Sequence, residues 1–199
     1  MSPGNISAAR EIASICLARE QLDESERFAR EAHSHARGNA YILDILLAVL
    51  IRKHGKESRG LSEINELFDA LDVDDRESGR SFFTTRKAEF EYLWGDNKKA
   101  LSLVEQAIRR TPRIFEPRRL YVRILLKSGN KTKAEEQLDV MRDIVNARDP
   151  NERRSNYRPY LETQAAYLVE VGRYDEAKAV FNDPAVFDSS RTSASSEGN

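Results

Sequence analysis

The 199-residue sequence contains little cysteine, proline or glycine, and it has no long apolar run. A single cysteine, Cys16, excludes an intramolecular disulfide framework. The apolar stretches fall short of the roughly 20 residues that a membrane-spanning helix needs, and the first ten residues lack the charged flank and apolar block of a signal peptide. These absences predict a cytoplasmic protein with no membrane partner. A chain of this length can also bury a core without a structural metal.

The sequence also lacks the residue patterns of common active sites and cofactor sites. His33 and His35 are two residues apart on a predicted helix and therefore diverge, while no cysteine or acidic cluster accompanies His54. Cys16 lies on an apolar helix face, which is typical of a buried structural cysteine. Neither a phosphate-binding glycine loop nor a dinucleotide fingerprint occurs. We therefore expect no catalytic residue, no metal site, no cofactor and no enzymatic activity.

The few glycines that are present are regularly placed. Gly55, Gly95, Gly129 and Gly172 each follow an apolar stretch of helical period, at separations of 40, 34 and 43 residues. Glu20 occupies the equivalent place 35 residues before Gly55. A residue in the left-handed conformation commonly ends a helix, so each position predicts a turn between two helices. Spacing in this range is typical of stacked repeats.

Three of these turns share a further pattern. An alanine follows the glycine by five residues, at Ala100, Ala134 and Ala177. A small residue at this place lets the two helices of a hairpin pack closely, and apolar residues recur beyond it at helical spacing in the first two hairpins. The pattern therefore predicts helix-turn-helix units.

With these motifs the chain resembles the tetratricopeptide repeat (TPR) family. The clearest match spans residues 82–113, where Gly95, Ala100, Ala107 and Pro112 correspond to the turn glycine, the two small positions and the closing proline of the family. The resemblance implies an all-α fold, namely a right-handed α-solenoid of about five helix-turn-helix repeats, and no catalysis.

The other repeats match less completely. Residues 114–145 and the stretch from about residue 158 are recognisable, whereas residues 6–39 and 40–75 are degenerate, with Ser25 and Gly60 in place of the alanine. We expect one TPR-like domain over residues 1–187.

Polar stretches suggest where the regular structure is interrupted. Polar and charged connecting loops are expected around residues 72–80 and 148–158, with Pro159 in the first turn of the helix that follows. Residues 188–199 contain five serines and no aromatic residue, which predicts a disordered tail.

The helix predicted over Tyr41–Ile51 is apolar on every side except at Asp44. A helix that is apolar all round is usually buried all round, which predicts a central helix between its neighbours. Alternatively, one face is open for a partner or for a second copy of the chain, which would make a homo-oligomer.

The net charge of −1 conceals a segregation of charge along the chain. Residues 109–133 carry nine basic residues and one acid, whereas residues 56–108 and 134–199 carry net charges of −4 and −5. The basic segment could attract an acidic protein segment or another anion, or it could pair with the acidic segments of the same chain.

The TPR resemblance also implies which side chains line a concave groove. The lysine and asparagine pattern of chaperone-binding members is absent. The candidate partner-binding residues combine cationic, apolar and mixed positions: Arg119, Arg123, Lys127, Ile45, Val49, Phe82, Thr85 and Tyr92. Such a surface suits an amphipathic helix or an extended peptide with an acidic end.

Three functions are compatible with this sequence. The first is a non-enzymatic scaffold that binds a peptide or helix of a partner protein in its groove. The second is the sensor or autoinhibitory repeat region of a larger signalling ATPase. The third is an RNA-binding helical repeat, although base-reading polar residues do not recur from repeat to repeat.

Overall fold

A computed structural model describes residues 3–78, 81–147 and 150–182, and it describes side chains over 6–57, 60–72, 81–147, 157–180 and 182. Every regular element in these ranges is an α-helix. The ten helices are α1 (Pro3–Ala18), α2 (Leu22–His35), α3 (Ala40–His54), α4 (Ser58–Ser78), α5 (Phe82–Trp94), α6 (Asn97–Arg110), α7 (Phe115–Lys127), α8 (Lys131–Asn146), α9 (Pro150–Glu170) and α10 (Tyr174–Phe181). The predicted all-α class with five helix-turn-helix repeats is confirmed. The predicted tail, residues 188–199, lies outside the described residues.

Three helices begin at a side chain that accepts hydrogen bonds from the first turn. Asn39, Asp96 and Asn130 each accept from backbone N–H groups two or three residues later, and they begin α3, α6 and α8. Such caps contribute about 1 kcal/mol each, because the first amides of a helix otherwise have no intrahelical acceptor. These caps therefore set the start of α3, the first helix of its hairpin, and of α6 and α8, the second helices of theirs.

Two of the predicted turn glycines adopt the left-handed conformation. Gly129 and Gly172 have φ values of 75° and 81°, and Glu20 takes the same region with φ 59° although it carries a side chain. Gly55 and Gly95 do not, since their φ values are −61° and −122°. All five positions lie in turns that end a helix, as predicted, but only three of them adopt the left-handed conformation.

Gly55 has a different physical reason for lacking a side chain. A Cβ atom at this position would lie 2.1 Å from Nε1 of Trp94. That indole nitrogen donates a hydrogen bond to the carbonyl oxygen of Ile51 at 2.6 Å. The glycine thus allows Trp94 of α5 to cap the end of α3.

The helices form two compact units, Met1–Pro112 and Arg113–Asn199. In the first unit α3 is the central helix, and it contacts α1, α2, α4 and α5. Nine of its fifteen residues are buried, which confirms the prediction of a helix between its neighbours. Among its large apolar residues, Tyr41 is 51% exposed and Ile45 is half-buried.

The small residues that were expected at the hairpin contacts are buried. Ala100, Ala134 and Ala177 are 0%, 0% and 4% exposed. In the degenerate repeats Ser25 is fully buried and donates to the carbonyl oxygen of Ala13 at 2.8 Å. At Gly60, a Cβ atom would lie 2.5 Å from the carbonyl oxygen of His54. Each hairpin therefore uses a small residue where its helices meet.

The second unit contains α7 to α10. Its core comes from α7, α8 and α9, and α9 packs against both of the other helices. The buried apolar residues of these three helices are Phe115, Leu120, Tyr121, Val122, Ile124, Leu125, Ala134, Leu138, Met141, Val145, Tyr160, Leu161, Ala165, Tyr167 and Leu168.

The two predicted connecting loops are largely helical, which corrects the sequence analysis. Helix α4 continues to Ser78, and α9 begins at Pro150, so that Pro159 lies inside a helix and not in its first turn. Polar composition misled the prediction because arginine, glutamate and similar residues are good helix formers when one side of the helix faces water. A proline within a helix leaves the carbonyl four residues earlier without its amide donor, a cost that α9 tolerates.

Candidate partner-binding surfaces

Three of the predicted cationic residues lie along one side of α7. Arg119, Arg123 and Lys127 are spaced by four residues, a spacing that places helical side chains in a row. Arg123 and Lys127 are exposed, and the Arg119 side chain is 32% exposed. These three residues, the α7 cationic row, thus present positive charge on the surface of the second unit.

The neighbours of the row show how its charge is balanced. Arg119 forms ion pairs with Glu116 at 3.3 Å and with Glu162 of α9 at 3.9 Å. Arg118, the adjacent arginine, points the other way: it is 9% exposed and donates to Gln137 at 2.8 Å. Burial lowers the pKa of Arg118 below its ordinary value. Of the two consecutive arginines, only Arg119 is therefore placed to meet a partner.

The remaining cations of segment 109–133 are dispersed over several elements. Arg109 and Arg110 end α6 in the first unit, where Arg110 donates to Thr84 at 3.4 Å. In the second unit Lys131 donates to the carbonyl oxygen of Glu170 at 2.8 Å, and Lys133 lies over the ring of Tyr121. The basic segment of the sequence is thus divided between structural contacts and the α7 cationic row.

The predicted apolar and mixed residues all lie in the first unit, with unequal exposure. Val49 and Thr85 are 0% and 6% exposed, so they belong to the interior of the unit. Ile45, Phe82 and Tyr92 are half-buried. A partner molecule can therefore reach Ile45, Phe82 and Tyr92, whereas Val49 and Thr85 support the surface from beneath.

An open cavity of about 360 Å³ lies between α1 and α3 in the first unit. Its lining residues, which define the α1–α3 cavity, are Arg10, Glu11, Ser14, Tyr41, Asp44 and Ile45. The Tyr41 ring also meets the Phe82 ring edge to face, with 5.5 Å between the centroids. Two of the predicted partner-binding residues, Ile45 and Phe82, therefore lie at or beside one cavity.

A network of paired charges links α3 to α5 next to this cavity. Asp44 accepts two hydrogen bonds from Arg86, at 2.7 and 3.1 Å. Arg86 also donates to Glu89 at 2.6 Å, and Arg52 donates to the same carboxylate at 3.1 Å. Burial of Glu89 by itself raises its pKa, but the charges of Arg86 and Arg52 outweigh burial and lower it. Sequence reasoning placed Asp44 on an apolar helix without finding its partner, because Arg86 is 42 residues away.

No protein-family model and no curated protein matches this sequence. Solved structures do match it. The crystal structure of a thermophilic TPR protein from Thermus thermophilus matches with a TM-score of 0.62. The two sequences are 17% identical, and the match covers 94% of this chain and 93% of that protein. The chain has the tetratricopeptide repeat fold. The family that the sequence motifs resembled is therefore the one whose fold the structure shares.

Two further TPR-like structures match with lower scores. A tetratricopeptide repeat protein from Parabacteroides merdae is 16% identical and has a TM-score of 0.48. The match covers 95% of this chain and 68% of that protein. A crystal structure of MamA protein matches with a TM-score of 0.45. The two sequences are 10% identical, and the match covers 91% of this chain and 90% of that protein.

Cys16 and His54 are among the residues considered above as candidates for catalysis or metal binding, and each contacts or is buried by neighbouring residues of the fold. Cys16 is 9% exposed, as predicted for a structural cysteine. His54 contacts carboxylates through both ring nitrogens, Glu57 at Nδ1 and Glu26 at Nε2, each at 3.1 Å. Among the side chains that the structure describes, no group of three or more His, Cys, Asp or Glu residues is arranged to hold a metal ion. In the same part of the chain, no helix has the length and apolar character needed to cross a membrane.

Proposed function

We propose that this protein is a non-enzymatic interaction module that binds an acidic peptide or helix of a partner protein. The observation that carries the proposal is the α7 cationic row, in which Arg119, Arg123 and Lys127 bring three positive charges to one exposed side of a helix. Like charges spaced by four residues destabilise an isolated helix slightly, so folding alone does not favour such a row. The TPR fold supports the same proposal, since helical repeats present broad surfaces suited to extended ligands.

The row favours a ligand with negative charge spread along its length. Successive residues of the row are about 6 Å apart along the helix axis, at a rise of 1.5 Å per residue. Carboxylates on one face of a partner helix have the same spacing, because that helix has the same period. Glu116 and Glu162 already contact Arg119. An acidic partner therefore competes for Arg119 and adds to the local contacts of Arg123 and Lys127.

Charge reversal tests this proposal. The double variant Arg119→Glu and Arg123→Glu is compared with a matched double variant, Arg142→Glu and Arg173→Glu, on exposed arginines of the same unit. Partners captured by the wild type are identified, purified and titrated by calorimetry at 50 and 200 mM salt. We expect the first variant to weaken binding at least about tenfold and the control to stay within about twofold, because reversal replaces attraction with repulsion.

The outcome also distinguishes this proposal from nucleic-acid binding. The proposal is supported if the affinity for a protein partner falls both with added salt and with charge reversal of Arg119 and Arg123. Equal affinity of both double variants for every partner would contradict it. Capture of RNA in place of protein, with a steep salt dependence, would overturn it in favour of the RNA-binding alternative.

A further inference from the structure

The exposed side of α8 carries negative charges at the same period as the α7 cationic row. Glu135, Asp139 and Asp143 are exposed and spaced by four residues, and these three residues define the α8 acidic row. Side chains four residues apart lie in line on a helix, so each row presents three charges of one sign. Both rows lie in the second unit, so every copy of the chain carries one of each.

The exposed surface of α7 selects an acidic partner. Apart from Glu116 and the half-buried Leu126, the α7 cationic row is all of this helix that solvent reaches. Such a narrow strip of positive charge has room for one helix with a matching strip of negative charge. The α8 acidic row is a strip of that kind on a helix of sixteen residues.

Within one chain, the ion pairs at the two rows do not join them to each other. Arg119 pairs with glutamates of α7 and α9, whereas Asp139 pairs with Arg142 of its own helix at 2.9 Å. Arg118, which lies outside the row, is directed toward α8 and donates to a glutamine there. Exposed ion pairs contribute little to stability, so a row of opposite charges can replace them. A second copy of the chain offers each row such a set of opposite charges.

The middle members of the two rows are Arg123 and Asp139. Alignment of the rows places these two residues opposite each other whether the helices run parallel or antiparallel, since reversal only exchanges the partners of the outer members. Successive charges are about 6 Å apart along the axis in both rows, so three pairs can form at once. The central pair of the contact is therefore Arg123 with Asp139 of a second copy.

We propose that the α7 cationic row binds the α8 acidic row of a second copy of the chain. This inference rests on the proposed function, because it names the acidic helix that the row binds. The contact is heterologous, since it joins different surfaces of the two copies. Two copies joined once still present one row of each sign to solvent, so assembly continues beyond the dimer as the concentration rises.

Analytical ultracentrifugation of the full chain measures this association. Concentrations from about 20 µM to 1 mM cover a Kd on the order of 0.1–1 mM, as expected for a weak contact formed mainly by exposed ion pairs. We expect the average mass to rise with concentration at about 50 mM salt and to rise less at about 200 mM, because salt screens exposed charges. A wild type that keeps the mass of the monomer throughout this range at low salt would overturn the inference.

Charge reversal on each side of the contact identifies the residues that meet. Arg123→Glu and Asp139→Lys should each weaken association at least about fivefold, because each places like charges at the centre of the contact. A mixture of the two variants should associate to within about twofold of the wild type, since each variant then meets the opposite charge on the other. Recovery in the mixture also demonstrates that neither variant lost association by misfolding. Arg173→Glu and Asp175→Lys, at exposed positions of the same unit outside both rows, are the controls and should stay within about twofold.

Two further results would overturn the inference. A mixture that associates no better than either variant alone would mean that Arg123 and Asp139 do not meet. Weaker association in Arg123→Glu but not in Asp139→Lys would place the acidic surface outside α8.

The same variants distinguish failure of this inference from failure of the proposed function. Asp139→Lys leaves the α7 cationic row intact, so a different protein captured through Arg119 and Arg123 should bind this variant as it binds the wild type. A monomeric wild type that still binds such a protein overturns this inference alone. A row that binds neither a second copy nor another protein overturns both proposals.

Discussion

Glu20 has a backbone conformation that its side chain disfavours. Its φ of 59° lies in the left-handed region, which glycine occupies at the equivalent turns of Gly129 and Gly172. The turn is closed by a hydrogen bond from Gln21 N–H to the carbonyl oxygen of Cys16 at 2.9 Å. The conformation is therefore imposed by the end of α1 and not by Glu20 itself.

Replacing Glu20 with glycine should stabilise the first unit. The left-handed conformation costs an L-residue about 1–2 kcal/mol, and glycine removes this cost. Part of the resulting gain in stability is offset because unfolded glycine has a larger chain entropy. We expect Glu20→Gly to raise the free energy of unfolding by about 0.5–1 kcal/mol. Urea unfolding followed by the fluorescence of Trp94, the single tryptophan, measures the change.

The matched control is another exposed glutamate in regular helix. Glu24→Gly, within α2, should lower the free energy of unfolding by about 1 kcal/mol. Opposite signs for the same substitution would identify backbone conformation as the cause. A loss of stability in Glu20→Gly would contradict the explanation.

Glu26 is the acidic centre of a surface cluster that joins α2 to α3. It accepts hydrogen bonds from Arg30, Lys53 and His54 at 2.8, 2.8 and 3.1 Å. Burial is the largest influence and raises the pKa of Glu26, but the hydrogen bonds from Lys53, Arg30 and His54 together outweigh it. They lower the pKa from 4.5 to about 2. The folded state therefore favours the ionised carboxylate more than the unfolded state does.

This shift predicts a loss of stability in acid. The contribution of Glu26 is fully present above its unfolded pKa of 4.5 and disappears as the pH falls through about 2. After allowance for solvent screening, we expect it to reach about 1–2 kcal/mol. Free energies of unfolding measured from pH 6 to pH 2 should fall less steeply in Glu26→Gln than in the wild type. Glu24→Gln, an exposed neighbour in α2, should retain the wild-type slope, and an unchanged slope in Glu26→Gln would refute the assignment.

At the scale of helices, the contact between the end of α3 and Trp94 depends on Gly55. Its φ of −61° is ordinary, so alanine would meet no backbone strain there. The added Cβ would instead lie 2.1 Å from Trp94 Nε1 and 2.5 Å from the carbonyl oxygen of Ile51. Trp94 would have to move, and its hydrogen bond to Ile51 would break.

We therefore expect Gly55→Ala to lower the free energy of unfolding by about 1–3 kcal/mol, the usual cost of overpacking. The Trp94 emission of the folded variant should shift as well, because the indole leaves its present environment. Gly38→Ala is the control, since nothing lies within 4 Å of a Cβ atom built at Gly38. Equal stability of the two alanine variants would show that the close approach is absent in solution.

The helices were the most predictable level of this structure. Helical period, turn residues and small contact positions such as Ala100 and Ala134 are local features, and they correctly predicted five hairpins. The charged stretches before residues 80 and 158 were misassigned because a solvent-facing helix and a polar loop have similar compositions. The residue-by-residue exposure of the proposed groove was less predictable still, since burial of Val49 and pairing of Asp44 with Arg86 depend on contacts between repeats.

At the scale of the whole molecule, the near-neutral charge gives little information about the surface. The basic segment 109–133 crosses the boundary between the two compact units at residues 112 and 113. Only part of it, the α7 cationic row, is displayed along one helix. Linear charge segregation thus indicated the segment that contains the proposed site, while the structure separates surface cations from those engaged in packing, such as Arg118.

The sequence predicts one TPR-like domain over residues 1–187, and a substitution in the second unit tests this prediction through its effect on unfolding. Met141 is fully buried, so Met141→Ala should cost about 2–5 kcal/mol, whereas Val140→Ala, at a side chain 36% exposed, should cost much less. Stability in a repeat array is shared through interfaces between neighbouring repeats. We therefore expect Met141→Ala to lower the urea midpoint of both Trp94 fluorescence, which reports on the first unit, and far-ultraviolet circular dichroism, which reports on all helices. If the fluorescence midpoint stays fixed while the dichroism transition divides in two, the units are independent domains and the prediction of one domain is wrong.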